Sequence, residues 1–302
     1  MEEIGGAYFN YLLSNSLFQD VQRTSYGDIK YCKMHDIVHD LAMAISKDKT
    51  FILKIGCKID ENASILHLRV KNNAGVPPDI PANILRRLHS LFIEEKVGIV
   101  FNAMASNLKS LRSLKLAGAK LTFGYCEEAK MKKLHLDFGE LKHLRYFNIS
   151  NRIDYVLPES FCKLYNLQTF RLNSCLRLRW PKDKMTNLVS LRHICFSHYH
   201  DHIRGRIGHL TSLQTLPFFL VGIEEGGGIE ELRGLTQLRG ELKIENLEHV
   251  HSRSEATKAN LKEKTGLRLL ELWCQSCTRA ANENGELHQE QQMKGRLHQE
   301  QR

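Results

Sequence analysis

Leu167-Gln168-Thr169-Phe170-Arg171-Leu172-Asn173 decides how this chain folds. Apolar side chains stand at its first, fourth and sixth places, with polar ones between. The alternation over 169–173 predicts a short strand with one buried face. The same template recurs at Leu88-His89-Ser90-Leu91-Phe92-Ile93, Leu111-Arg112-Ser113-Leu114-Lys115-Leu116 and Leu144-Arg145-Tyr146-Phe147-Asn148-Ile149. It returns at Leu191-Arg192-His193-Ile194-Cys195-Phe196, Leu213-Gln214-Thr215-Leu216-Pro217-Phe218, Leu242-Lys243-Ile244 and Leu267-Arg268-Leu269-Leu270-Glu271-Leu272.

Starts at 88, 111, 144, 167, 191 and 213 lie 23, 33, 23, 24 and 22 residues apart. Four of these steps fall in the 20–29-residue window of leucine-rich repeats. One coil cannot bury its own leucines, so coils must stack, with the alternating polar residues on the concave side. The 33-residue step is irregular. Met131-Lys132-Lys133-Leu134-His135-Leu136 fits the template inside it, giving steps of 20 and 13; thirteen is too short for a full turn, so a deletion or a distorted coil is expected there. The fold class is α/β, a leucine-rich-repeat solenoid (horseshoe), expected over 88–277.

The first 50 residues read differently. Tyr8, Phe9, Leu12 and Leu13 mark a helix face, Ile29–Met34 alternates as a strand, and Ile37, Val38, Leu41, Ala42 and Ile45 mark an amphipathic helix. Asp36 is placed to cap that helix or lie in its first turn. Helix, turn, strand, helix suits a partial, mainly helical winged-helix subdomain over 1–50, followed by connector and capping strands at 51–87. Beyond Thr278 apolar residues thin out, and Gly285–Gln291 nearly recurs as Gly295–Gln301. That duplication predicts a disordered low-complexity tail over 278–302.

The chain has 302 residues, 42% hydrophobic and 25% charged, as expected of a folded protein. No apolar run approaches the ~20 residues of a membrane helix, and the acidic start Met1-Glu2-Glu3 carries no secretory signal. The net charge of +9 comes from 43 basic and 34 acidic residues. The basic residues sit singly or in pairs, which disfavours a nucleic-acid role. Residues 35–46 hold Asp36 and Asp40 and no Lys or Arg, so this helix is unsuited to docking on phosphates. The 8 cysteines are dilute and read as reduced thiols.

Three groups could carry chemistry. His35-Asp36-Ile37-Val38-His39 has the spacing of the H-E-x-x-H zinc motif, the basis of an alternative reading as a zinc-dependent hydrolase. Asp36 stands where the general-base Glu belongs, and no third ligand is evident. Cys274-Gln275-Ser276-Cys277 is a lone C-x-x-C, half of a structural zinc set. His198, His200, Asp201 and His202 cluster in an expected inter-repeat loop. No phosphate loop G-x-x-x-x-G-K-[ST] and no nucleophile elbow occur. No catalytic constellation and no metal site are expected, so the chain reads as a non-enzyme.

Cys32-Lys33-Met34-His35-Asp36-Ile37-Val38-His39-Asp40-Leu41-Ala42 resembles the Met-His-Asp motif of the plant NB-ARC leucine-rich-repeat disease-resistance proteins, and Tyr8–Leu12 and Ser16–Val21 resemble the segment before it. The repeats are similar to those of the coiled-coil subclass: Leu141–Phe147, Leu157-Pro158-Glu159-Ser160, Leu164–Thr169, Ile207–Pro217, Leu235–Ile244 and Glu255–Leu261. The resemblance implies a fragment of an intracellular immune receptor, cytoplasmic or nuclear. Met34, His35 and Asp36 would form the nucleotide-sensing part of an ADP/ATP switch, His35 reading the phosphates. The family's phosphate loop lies upstream of these matches, so no cofactor is expected in this fragment alone. The repeats would recognise a pathogen effector or a guarded host protein and restrain the nucleotide-binding domain. Arg145, Arg171, Asn173, His193 and Arg268 are the candidate partner-binding residues, and a basic concave face would favour acidic partners.

Overall fold

The computed structural model describes residues 2–23, 29–54, 56–71, 79–94, 104–117, 123–126, 131–134, 138–150, 155–173, 178–179, 185–196, 206–223 and 226–274. The chain divides into two units, Met1–Phe51 and Ile52–Arg302.

The first unit runs α1 (Glu2–Ser14), β1 (Phe18–Arg23), β2 (Ile29–Met34) and α2 (Asp36–Ser46). β1 and β2 pair antiparallel, with Phe18 opposite Met34. Phe9 of α1 stacks on Phe18, ring centroids 5.1 Å apart. The expected amphipathic helix forms as α2, but its apolar face stays open: Ile37 is 74% exposed and Ile45 75%. Tyr8 and Tyr11 of α1 are also exposed.

The rest of the chain supplies β3 (Thr50–Leu53), β4 (His67–Lys71), α3 (Ala82–Arg87), β5 (Ser90–Glu94), β6 (Ser113–Ala117), β7 (Phe123–Cys126) and β8 (Met131–Leu134). Next come β9 (Tyr146–Ser150), β10 (Tyr155–Val156), β11 (Thr169–Asn173), β12 (Leu178–Arg179) and β13 (His193–Phe196). β14 (Phe218–Leu220), β15 (Arg239–Glu245) and β16 (Gly266–Leu272) follow. The main sheet has the order β13-β11-β9-β6-β5-β4-β3, and its strands from β4 to β13 run parallel. A three-stranded parallel sheet, β14-β15-β16, continues the same winding.

Each coil is built from one arithmetic. Apolar side chains six and three residues before the template leucine fall in line with it: Phe138, Leu141 and Leu144; Phe161, Leu164 and Leu167; Met185, Leu188 and Leu191; Ile207, Leu210 and Leu213. All twelve are at most 1% exposed. Tight turns hold the spacing, because each leucine N–H reaches the carbonyl three residues back, as from Leu144 to Leu141 at 3.0 Å and from Leu167 to Leu164 at 2.9 Å. The residue after the template leucine then stitches coil to coil. The Arg112 carbonyl accepts from the N–H groups of Arg145 and Tyr146, and the Arg145 carbonyl from those of Gln168 and Thr169. This double acceptance recurs at Leu66, His89, Gln168 and Arg192. Backbone groups that would otherwise lie unpaired between coils are thereby satisfied.

Phe138, Phe147, Phe161 and Phe170 form a continuous aromatic spine with centroid separations of 5.1–6.2 Å. The four rings are fully buried. Edge-to-face and stacked pairs such as these add to plain area burial.

The irregular 33-residue step is a distortion that adds no strand to the main sheet. β6 pairs directly with β9, Ser113 opposite Tyr146. β7 and β8 form an antiparallel hairpin in a second sheet, order β12-β10-β8-β7. Met131–Leu134 therefore matches the template but serves another sheet. Two leucines fix a strand's period, not the sheet in which it pairs.

Candidate functional site

Because alternate residues of each strand are buried, the others form rows across the open face of the main sheet. Strand register sets one row as Arg69, Phe92, Lys115, Asn148, Arg171 and Cys195. A second row runs His67, Ser90, Ser113, Tyr146, Thr169 and His193. On the described outward positions of β4 to β13 the cations Arg69, Lys71, Lys115 and Arg171 face one acid, Glu94.

A hollow of about 510 Å³ opens on this face, lined by Arg69, Phe92, Glu94, Ser113, Lys115 and Tyr146. Glu94 accepts from Arg69 Nε at 3.0 Å and from Arg69 Nη2, and its other oxygen lies 3.4 Å from Lys115 Nζ. The Arg69 hydrogen bond holds the Glu94 carboxyl below its ordinary pKa of 4.5. Beside it Asn148 is 3% exposed. Ser150 donates to Asn148 Oδ1 at 3.2 Å, and Asn148 Nδ2 donates to the Tyr146 hydroxyl at 3.1 Å.

The sheet of β14, β15 and β16 carries the opposite sign. Glu241, Glu245 and Glu271 stand on its open face with one cation, Lys243. Lys243 Nζ bonds Glu245 at 2.6 Å and lies 3.9 Å from the Trp273 ring centroid. Gly240 takes a φ of +82° at the register irregularity of β15, a conformation that favours glycine.

The structure separates the five partner-binding candidates. Arg171 lies in the central row and is exposed. Asn173 ends β11 opposite Ser150. His193 opens β13, with Nδ1 3.0 Å from the Thr215 hydroxyl. Arg145 and Arg268 do not sit in the open-face rows. Each follows the template leucine, where the Arg145 carbonyl joins coils and where the β15–β16 register skips Arg268. Sequence reading missed Arg69, Phe92, Glu94, Lys115 and Tyr146. Their outward places in the strands were a usable signal, but their juxtaposition comes from register between residues over 20 apart.

In the first unit Met34 ends β2, His35 precedes α2 and Asp36 is its first residue, all three exposed. His35 caps α2: its Nδ1 accepts from the Ile37 N–H at 3.3 Å, with φ −60° and ψ 142° outside the helical region. His39 lies inside the helix and its Nδ1 is 3.2 Å from Asp40. The zinc alternative needs both histidines on one helical face. Instead His35 is off the helix with one ring nitrogen engaged, and no group of three or more potential ligands occurs among the described residues. The cluster from His198 to His202, Cys277 and the tail from 278 lie outside the described residues.

Among the described residues no helix is long and apolar enough to cross a membrane. Residues 1–42 match the family model for the winged helix domain of disease resistance proteins, and residues 87–300 match that for a leucine-rich repeat region. A disease resistance protein of Arabidopsis thaliana is 32% identical over 286 residues, 87% of this chain and 18% of that protein. RPP13-like protein 3 of Arabidopsis thaliana is 28% identical over 72% of this chain and 25% of its own length. The ToMV resistance protein Tm-2(2) of Solanum lycopersicum is 25% identical over 66% of this chain and 23% of its own length. The chain thus spans about a quarter or less of the curated relatives it matches. With its two matched regions in the same order as its winged-helix unit and its stacked leucine coils, the chain belongs to the plant disease-resistance proteins that join a winged-helix domain to leucine-rich repeats.

Proposed function

We propose that this chain is the recognition part of an intracellular plant immune receptor, in which the open face of the repeats binds a pathogen effector or a guarded host protein. The observation that carries this reading is the open face itself. A leucine-packed scaffold holds charged, aromatic and polar side chains in fixed rows, as a binding surface requires and a catalytic centre does not. The receptor acts in the cytoplasm or nucleus, and the repeats restrain its nucleotide switch until a partner binds.

Of that switch this chain carries Met34, His35 and Asp36. They do not make a nucleotide site by themselves: all three are exposed, and the His35 ring nitrogen serves as a helix cap. Phosphate binding needs a cradle of backbone N–H groups as well. His35 would contribute one contact to a site completed by the nucleotide-binding portion of a longer receptor.

The test is expression in leaf tissue of the receptor carrying this chain, challenged with a pathogen that it restricts. Arg171→Glu, on an exposed strand position, should abolish the defence response while the protein accumulates normally. An unchanged response from Arg171→Glu and from a Lys115→Glu companion would overturn recognition through this face.

A further inference from the structure

We propose that the hollow between β4 and β9 docks an acidic peptide segment of the partner protein, its carboxylate held between Arg69 and Lys115 and an adjoining apolar side chain laid on Phe92 and Tyr146. The proposal rests on the recognition reading above and adds to it the place and the chemistry of the partner.

Arg69, Phe92 and Lys115 are opposite one another in register on three neighbouring strands. Parallel strands lie ~4.8 Å apart, so the two cations flank the ring across a span of roughly 10 Å. Glu94 joins both and is itself 26% exposed in its side chain. It sets the cations in position before any partner arrives, which lowers the ordering cost of binding. Glu94 engages two of the donors that a guanidinium carries and one of the ammonium's three. Hydrogen bonding adds a further donor. Ser150 donates to Asn148 and Asn148 to the Tyr146 oxygen, so the Tyr146 hydroxyl proton is directed elsewhere. Ser113 supplies another hydroxyl. The hollow therefore holds a surplus of donors and positive charge around one aromatic wall.

Charge also selects a protein over a nucleic acid. Glu94 lines the hollow, and the face of β14 to β16 carries Glu241, Glu245 and Glu271. A continuous polyanion crossing both sheets would meet repulsion, whereas a peptide can place a single acidic run over the basic sheet. Complementary fields of this kind fix register and speed encounter.

The test is fluorescence anisotropy with the full chain and three labelled, end-blocked octapeptides of alternating Leu and Glu, Leu and Gln, or Leu and Lys. A labelled single-stranded oligonucleotide serves as the fourth probe. The Leu/Glu peptide should bind at least about tenfold more tightly than the others, and more weakly as salt rises. Arg69→Gln and Lys115→Met should each raise its Kd about fivefold or more, while Arg268→Gln should leave it unchanged. Circular dichroism checks that each variant is folded, and Phe92→Ser offers a route that leaves the ion pairs in place. Equal binding of Leu/Gln and Leu/Glu, preference for the oligonucleotide, or unchanged affinity in all three hollow variants would overturn the proposal. Loss of defence in Arg171→Glu together with no peptide preference would remove this proposal and keep the recognition reading. The peptide preference without any defence phenotype would do the reverse.

Discussion

Lys243 places its ammonium 3.9 Å from the centroid of the Trp273 ring while it bonds Glu245 at 2.6 Å. The lysine is 9% exposed, so its charge is held largely out of water, against the Glu245 carboxylate and the Trp273 ring. Phe218 lies beyond, its centroid 5.9 Å from the same nitrogen. Removing the carboxylate alone should cost more than removing the charge. Glu245→Ala removes the carboxylate that bonds a mostly buried cation and should destabilise by about 2 kcal/mol. Lys243→Met keeps the stem against Trp273 and should cost under about 1.5 kcal/mol. Urea unfolding of both variants checks the order, and the reverse order would refute this account of the pair.

Lys264 interrupts the buried column. It stands three residues before the template leucine Leu267, where the other coils place Leu141, Leu164, Leu188, Leu210 and Leu235. It is 3% exposed and its Nζ has no hydrogen-bond partner. Burial pushes its pKa below the ordinary 10.5. The unfolded chain therefore binds the proton more tightly, so stability is fully present above pH 10.5 and is lost as pH falls through the folded pKa. Lys264→Leu should raise stability near neutral pH by about 2 kcal/mol. It should also flatten the rise of Tm as pH climbs toward 10.5, which thermal melts at several alkaline pH values would show.

Much of the solenoid was legible because a coil's rule is local. The strands at Leu114, Phe147, Phe170 and Ile194 follow from alternation, and the turns before them follow from spacings of three. The hollow was not legible, since it depends on which strands meet. Following the template sets His135 beside Lys115, whereas the hairpin of β7 and β8 leaves the main sheet and brings Asn148 there. The sharing of Glu94 by Arg69 and Lys115 spans three coils, and no spacing in the sequence encodes it.

The aromatic spine makes a contrast within one coil. Phe161 is fully buried against Phe138, Phe147 and Phe170, while Tyr165, four residues on, is 52% exposed. Phe161→Ala should cost about 3–5 kcal/mol through a cavity that touches three rings. Tyr165→Ala should change stability by about 0.5 kcal/mol or less. Denaturant titration of the two variants is a direct check, and similar losses in both would mean that the spine does not carry the packing of these coils.

His35 has two roles to separate, capping α2 and reading a nucleotide, and one substitution can separate them. Asn is among the strongest N-caps, since its side-chain oxygen accepts from the first-turn N–H groups as His35 Nδ1 accepts from Ile37. His35→Asn should therefore leave the helicity and melting of this chain unchanged, whereas His35→Ala should show slight fraying of α2. In a receptor that joins this chain to its nucleotide-binding portion, the sensing role requires that both variants lose ADP affinity alike, because both lack the imidazole. Calorimetry of ADP binding on that longer protein decides the matter. Full affinity in His35→Asn with loss only in His35→Ala would assign the histidine to the helix and leave phosphate sensing to other residues.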